Sequence, residues 1–280
     1  DPAFALPPLH ALYRDVVEPL WAHVSTEAVT IIPDAELAMA PFAALLTNLA
    51  DDFETAPYLL HEWTISTELA AALIAAAPVS SDAEIDVVAL GLGTFDGTRS
   101  TWNADALSPL PHVSRELATV TSHGNGVAYE DDEATEARFR EIGPQARVVH
   151  LASHAEARPE LPLYSRIALH GTGSDDGTLH LYEILNTPLH ADLVVLSGCA
   201  TADGGRQGGE GVVGLQYGMR AAGSSATLAT LWPVADDATA VLMDHFYKGL
   251  ADGLGKDEAL RQAQLAYLGD HEGLAASPFF

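Results

Sequence analysis

The sequence predicts an α/β fold built on a mainly parallel sheet flanked by helices on both faces. Three observations carry that reading. The apolar, partly β-branched runs Ile85–Gly91, Ala146–Ser153 and Ala191–Ser197 are too continuous for strands with one wet face, and read as buried parallel strands. Segments of helical character separate them, the alternation expected of βα units. No fixed-period repeat runs through the chain.

Taken in order, Ala28 to Ile32 reads as a short strand, and Asp34 can cap a helix running to about Asn48. Tyr58 to Ile65 reads as a strand, Thr67 to Ala77 as an Ala-rich helix and Ile85 to Gly91 as a buried strand. The Gly-, Thr-, Ser- and Pro-rich stretch from Gly93 to Pro111 is expected to be a long loop or internal linker. A helix from about Val113, a strand near Gly126 to Tyr129 and a helix over Asp132 to Ile142 lead to the strand that ends at His154. After the Ala191–Ser197 strand come a helix near Gly211 to Ala222, the strand Ser225 to Leu231, and helices over Asp236 to Ala251 and Lys256 to Leu268. His170, His180 and His190 are expected on loops or strand ends.

Composition narrows the function classes. The 280 residues are 48% hydrophobic, enough for one large core or two smaller packed halves. No apolar run approaches the ~20 residues that span a bilayer, and no basic-then-apolar signal peptide opens the chain. A net charge of −26 argues against nucleic acid and anionic membranes as partners. The same acidity either keeps the protein soluble or attracts basic peptide segments. A single cysteine excludes an internal disulfide framework and fits a reducing, cytoplasmic setting. The start at Asp1, without Met, suggests a piece of something longer.

That one cysteine, Cys199, follows a predicted buried strand and opens a Gly-rich loop leading into a helix. In open α/β sheets the crevice beyond the carboxyl ends of the strands is where ligands bind. His154 ends another such strand, so if the two strands are neighbours a thiol and an imidazole meet at one sheet edge. The alternative for Cys199 is an inert buried hydrophobe.

The segments Val148-Val149-His150-Leu151-Ala152-Ser153-His154 and Leu193-Val194-Val195-Leu196-Ser197-Gly198-Cys199-Ala200-Thr201 resemble the two catalytic signatures of the CHAT family, a caspase- and separase-like branch of cysteine peptidases. The resemblance continues through Gly209–Leu215, Ala222–Ser224, Leu231–Thr239 and Glu258–Gln264, and at the front through Leu12–Arg14, Ile31–Asp34 and Pro41–Leu45. Ser277–Phe280 resembles the start of the family's closing strand, so a short tail is expected beyond it. The resemblance implies a caspase-like fold, with 1–110 as a non-catalytic half and 111–280 as the half carrying a His/Cys dyad.

It also implies roles for residues. Cys199 would be the nucleophile, and His154 would favour its thiolate and then protonate the leaving amine. The backbone N–H groups of Cys199 and Ala155 would form the oxyanion hole. Most relatives have Gly at the second of these positions, and the Ala155 methyl could crowd the oxyanion. Asp236, in the Trp-centred motif Leu231–Asp236, would bind a P1 arginine bidentately, and it would equally cap the helix it opens.

His150 lies four residues before His154, on the same strand face, which could suggest a metal. No clear third ligand stands nearby in sequence, and a structural His150 with no metal is the expectation. The loop Gly91–Gly97 lacks a dinucleotide fingerprint, since its third glycine is one residue late and no helix opens after it; Gly204–Gly209 lacks a Walker lysine, and no Gly-x-Ser-x-Gly elbow occurs. The expected function is therefore a cysteine endopeptidase without cofactor, acting on a protein or peptide substrate. It would be the effector domain of a longer protein, controlled by a sensor or repeat module in the same or a neighbouring chain. A non-catalytic interaction module and a small-amide amidohydrolase using the same dyad are the alternatives.

Overall fold

Residues from both ends of the chain build one unit, Asp1–Ala76 with His245–Phe280, and Ala77–Asp244 build the other. The computed structural model describes residues 6–68, 70–74, 85–95, 107–156, 158, 161–198, 210–232 and 234–272.

In the first unit, α1 (Leu6–Leu12) runs through one π-helical turn, Tyr13–Val17, into α2 (Glu18–Trp21). Strand β1 (Ala28–Ile31) pairs in parallel with β2 (Thr64–Thr67), with Ala28 opposite Thr64. The core gathers Leu6, Tyr13, Phe42, Leu45, Leu59 and Trp63, and the Trp63 indole stacks on Trp21 at 4.1 Å. Three readings are corrected here. The stretch expected to be a helix from Asp34 to Asn48 forms two 3-10 turns, Ala35–Met39 and Phe42–Ala44. Ala40 between them is extended (ψ 130°), as the ring of Pro41 requires of the residue before it. The segment read as a strand from Tyr58 makes a 3-10 turn at Leu59–His61 before β2 begins at Thr64. Of the helix expected over Thr67 to Ala77, Thr67 belongs to β2 and Ala71–Ile74 form α3, while 69 and 75–77 lie outside the described residues.

The second unit carries the parallel sheet. Its strands are β3 (Ile85–Gly91), β4 (Gly126–Glu130), β5 (Ala146–Ala152), β9 (Leu193–Ser197) and β10 (Thr227–Ala229), in spatial order β10-β9-β5-β3-β4, every pair parallel. Period-two alternation along β5 splits its side chains between two faces. Val149 and Leu151 join a core with Phe139 of α5 (Glu136–Ile142), Ile184 of α6 (Leu181–Leu185) and Met219 of α7 (Glu210–Ala222). His150 faces the other layer, where α4 (Val113–Ser122) packs so closely that a Cβ on Gly91 would fall 2.5 Å from Val113. Helices thus cover both faces of the sheet.

In the chain between β5 and β9 the residues form a small antiparallel sheet that the sequence reading did not resolve: β6 (Ala155–Glu156), β7 (Arg166–Ala168) and β8 (Thr178–His180), in that spatial order. His180 ends β8, and His170 makes an isolated bridge to Thr135. Helix α8 (Asp236–Ala251) starts at the expected residue, and α9 (Lys256–Asp270) ends two residues later than expected. In the first unit α9 is tied to β2 by Thr64 donating to Glu258 at 2.5 Å, and Arg261 donates to the carbonyls of Leu60 and His61 at 2.7 and 2.9 Å.

Candidate active site

The register of β5 and β9 brings the two signature segments side by side. Val148 through Ala152 pair with Leu193 through Ser197, and Ser153 N–H extends the ladder to the Ser197 carbonyl at 3.2 Å. His154 therefore leaves one strand where Gly198 leaves its neighbour, at the carboxyl edge where open α/β sheets bind ligands. Cys199 follows Gly198 in sequence; it and the glycine-rich loop after it lie outside the described residues. Gly198 adopts φ +94°, and a Cβ there would meet the Ser153 carbonyl oxygen at 3.1 Å. The turn into Cys199 thus depends on glycine twice, for its left-handed backbone and for its close approach to the histidine strand.

His154 is buried, at 2% exposure, and two of its neighbours fix it. Its ring lies 4.8 Å from that of Phe95, and its Nε2 stands 2.7 Å from the Ser108 carbonyl oxygen. A carbonyl only accepts, so Nε2 carries the hydrogen and donates. In the neutral ring the basic lone pair is then on Nδ1. The Ser108 segment is itself anchored. Leu110 N–H donates to the Gly93 carbonyl at 3.0 Å, and Gly93 and Thr94 donate to Asp131 Oδ1 at 3.1 and 3.2 Å. Asp131 holds a positive φ of 47°, a conformation aspartate tolerates better than most residues.

The small antiparallel sheet clamps the histidine from the other side. Ser153 Oγ donates to the Ala168 carbonyl at 2.6 Å, and Ala168 N–H donates to the His154 carbonyl at 2.8 Å. That second bond makes Ala155–Ile167 the non-hydrogen-bonded pair of the β6–β7 ladder, so Ala155 N–H turns away from β7. β6 is the outer strand of that sheet, which leaves this N–H aimed out of the edge beside His154.

Behind the strand ends lies a group that sequence reasoning missed. Glu116 of α4, 2% exposed, accepts a hydrogen bond from Ser197 Oγ, and its Oε1 also stands 3.0 Å from His150 Nε2. His150 is fully buried in this pairing. Among the described residues no group of three or more His, Cys, Asp or Glu is arranged to hold a metal. A small pocket of about 20 Å³ opens beside this cluster, lined by Leu110, Val113, Glu116, Ser197, Gly198 and Thr239. That is room for about one water. Val234 also lines the pocket, and Asp236 opens α8 between Val234 and Thr239. The Asp236 side chain lies outside the described residues.

Two of these groups escaped the sequence reading for different reasons. Ser108 acts through its carbonyl, which has no side-chain signature. Glu116 did leave a signal: it holds the i+3 slot in the apolar stripe Val113, Leu117, Val120, a place where a carboxylate must be buried and therefore partnered.

Among the described residues no helix is long and apolar enough to cross a membrane. Mouse tetratricopeptide repeat protein 28 is 23% identical to this chain over 314 aligned residues, an alignment covering 93% of the chain. The chain spans only 12% of that relative's length. The CHAT domain model matches residues 6–280, a span that includes β5 with His154, β9 with the turn toward Cys199, and the helices on both faces of the sheet. With its parallel sheet and its two signature segments paired in register, the chain belongs to the CHAT domain family, whose fold is caspase-like.

Proposed function

We propose that this domain is a cysteine endopeptidase in which Cys199 is the nucleophile and His154 the acid/base. The observation that carries the reading is the bond from His154 Nε2–H to the Ser108 carbonyl, on the strand end next to the one that leads into Cys199. A ring so held presents Nδ1 as its base and stabilises the imidazolium formed when the thiol proton is taken. The thiolate then attacks the scissile carbonyl carbon, forming a C–S bond while the carbonyl electrons move to oxygen. Collapse of that oxyanion breaks the C–N bond, and Nδ1–H protonates the departing amine. Water, deprotonated by the same nitrogen, hydrolyses the thioester.

The oxyanion would be met by the N–H groups of Ala155 and Cys199; the outward direction of Ala155 N–H supports the first. Asp236 is assigned to recognition of a P1 arginine, supported by its place between the pocket residues Val234 and Thr239. Residues 111–280 would carry the chemistry, and the domain would be a cytoplasmic effector under the control of a repeat or sensor module. The likeness to a tetratricopeptide repeat protein eight times longer in chain supports such a setting.

The test is digestion of a diverse peptide library by the domain, with mass spectrometry of the products, alongside labelling by a thiol electrophile. Cleavage and labelling should both vanish in Cys199→Ala, and cleavage should vanish in His154→Ala. Labelling without any cleavage would point to a small-amide hydrolase. Absence of both in the wild type would leave an interaction module.

A further inference from the structure

We propose that Glu116 is a positioning residue for the candidate dyad, a clasp that fixes the two catalytic strand ends relative to each other. The inference rests on the peptidase reading above and deepens it. Glu116 belongs to neither strand; it comes from α4, and its carboxylate meets both. From β5 it meets His150, two residues before the strand ends at Ala152. From β9 it accepts the hydroxyl of Ser197, the strand's last residue, directly before Gly198 and Cys199 in sequence.

The geometry gives this clasp leverage that an ordinary buried pair lacks. Ser197 bonds at both its ends: its carbonyl accepts Ser153 N–H at 3.2 Å, and its side chain is held by Glu116. Ser153 in turn adjoins His154. The carboxylate therefore fixes the residue that registers the histidine strand against the nucleophile strand. All three side chains are buried, at 2%, 0% and 3% exposure for Glu116, His150 and Ser197. In a low-dielectric layer a hydrogen bond to a carboxyl group is strong, and removing Glu116 takes away the acceptor of the Ser197 hydroxyl. Glu116 also lines the pocket beside Gly198, so loss of its side chain would open space under that turn. Since reacting atoms must be aligned within a fraction of an ångström, a small slip here reaches the chemistry: a 1 Å displacement can cost about a hundredfold.

The experiment uses the 280-residue chain, a fluorogenic peptide made from the sequence it cuts best, and iodoacetamide as a substrate-independent probe of Cys199. Glu116→Ala should lower kcat by at least about 30-fold with KM within about threefold, and slow alkylation comparably. Glu116→Gln, whose amide oxygen can still accept from Ser197, should keep kcat within about fivefold of the wild type. If Glu116→Ala does not fold, Ser197→Ala carries the test: it should lower kcat about five- to tenfold and slow alkylation comparably.

A folded Glu116→Ala or Ser197→Ala with wild-type kcat and alkylation rate would reduce Glu116 to a structural residue and overturn the proposal. So would a Glu116→Gln as impaired as the alanine variant. If wild-type Cys199 is alkylated no faster than in His154→Ala, the peptidase reading falls and this proposal with it. That outcome is distinct from the first two, in which the wild type keeps its His154-dependent thiol.

Discussion

Replacing Gly198 by alanine tests the turn on which the candidate site depends. At φ +94° a side chain is strained regardless of space, and left-handed backbone costs a non-glycine residue about 1–2 kcal/mol. The added methyl would also stand 3.1 Å from the Ser153 carbonyl oxygen. That oxygen is backbone in a segment pinned by the Ser153–Ser197 bond and cannot swing aside like a side-chain tip, so crowding adds about 1 kcal/mol. The sum is about 2–3 kcal/mol. For a unit of this length, Ala77–Asp244, each kcal/mol lowers Tm by about 2–4 °C, giving a fall of about 4–12 °C. If the turn instead relaxes to relieve the strain, Cys199 moves, and each ~1.4 kcal/mol of lost preference for the productive position costs tenfold. Thermal unfolding by circular dichroism and the iodoacetamide rate at Cys199 read the two routes separately. A variant melting within about 1 °C of the wild type, with unchanged alkylation, would refute the claim that the turn needs glycine.

Other expectations follow from the same contacts. Burial, reinforced by the negative Glu183, pushes the Glu136 carboxyl up to about 7 even though Gly177 and Thr178 N–H donate to it. Its stabilising contribution is complete below its unfolded pKa near 4.5 and lost as pH rises through about 7. Melting temperatures at pH 5 and pH 8 should therefore differ less in Glu136→Gln than in the wild type, and an equal or wider gap would count against this assignment. Phe139→Ala empties a fully buried site in the main core and should cost about 3–5 kcal/mol in urea unfolding; a loss below about 1 kcal/mol would contradict the packing described. His61 has a lowered pKa, from burial first and the Arg261 guanidinium second, so Arg261→Ala should raise it in an NMR titration. The same substitution frees the Leu60 and His61 carbonyls and should destabilise the first unit by about 1–3 kcal/mol.

The parts of the fold legible in the sequence were those where burial is continuous. Val87–Leu90, Val148–Leu151 and Leu193–Leu196 are apolar on both sides of the strand apart from His150, which is what a parallel sheet covered by two helical layers demands. The stretch from Asp34 to Asn48 misled because its alanines and leucines favour helix while Pro41 forbids one through its middle. The strands β6, β7 and β8 run only two or three residues, too short for any period to register, and tertiary pairing defines them. The site divides the same way. His154 could be placed at a strand end because its strand is obvious, whereas the oxygen that its Nε2 meets is main chain, and Glu116 was passed over although it interrupts an apolar stripe.

The Ser108 carbonyl has a consequence for how such a base can be altered. Since the orienting atom belongs to every amino acid, Ser108→Ala should leave the histidine tautomer untouched, and no point change at that position removes it. What matters is the path length of the chain there. From the Asp131 carboxylate through Gly93 and Leu110 to Ser108 runs a mooring line of hydrogen bonds and chain, and a one-residue insertion or deletion near 108 would bring a different oxygen, or none, to Nε2. Asp131→Ala removes the acceptor of Gly93 and Thr94 N–H, and so loosens the far end of the line without touching the ring. In the proposed peptidase the orientation of the His154 ring would therefore depend on the path of segment 107–110 more than on the identity of residue 108.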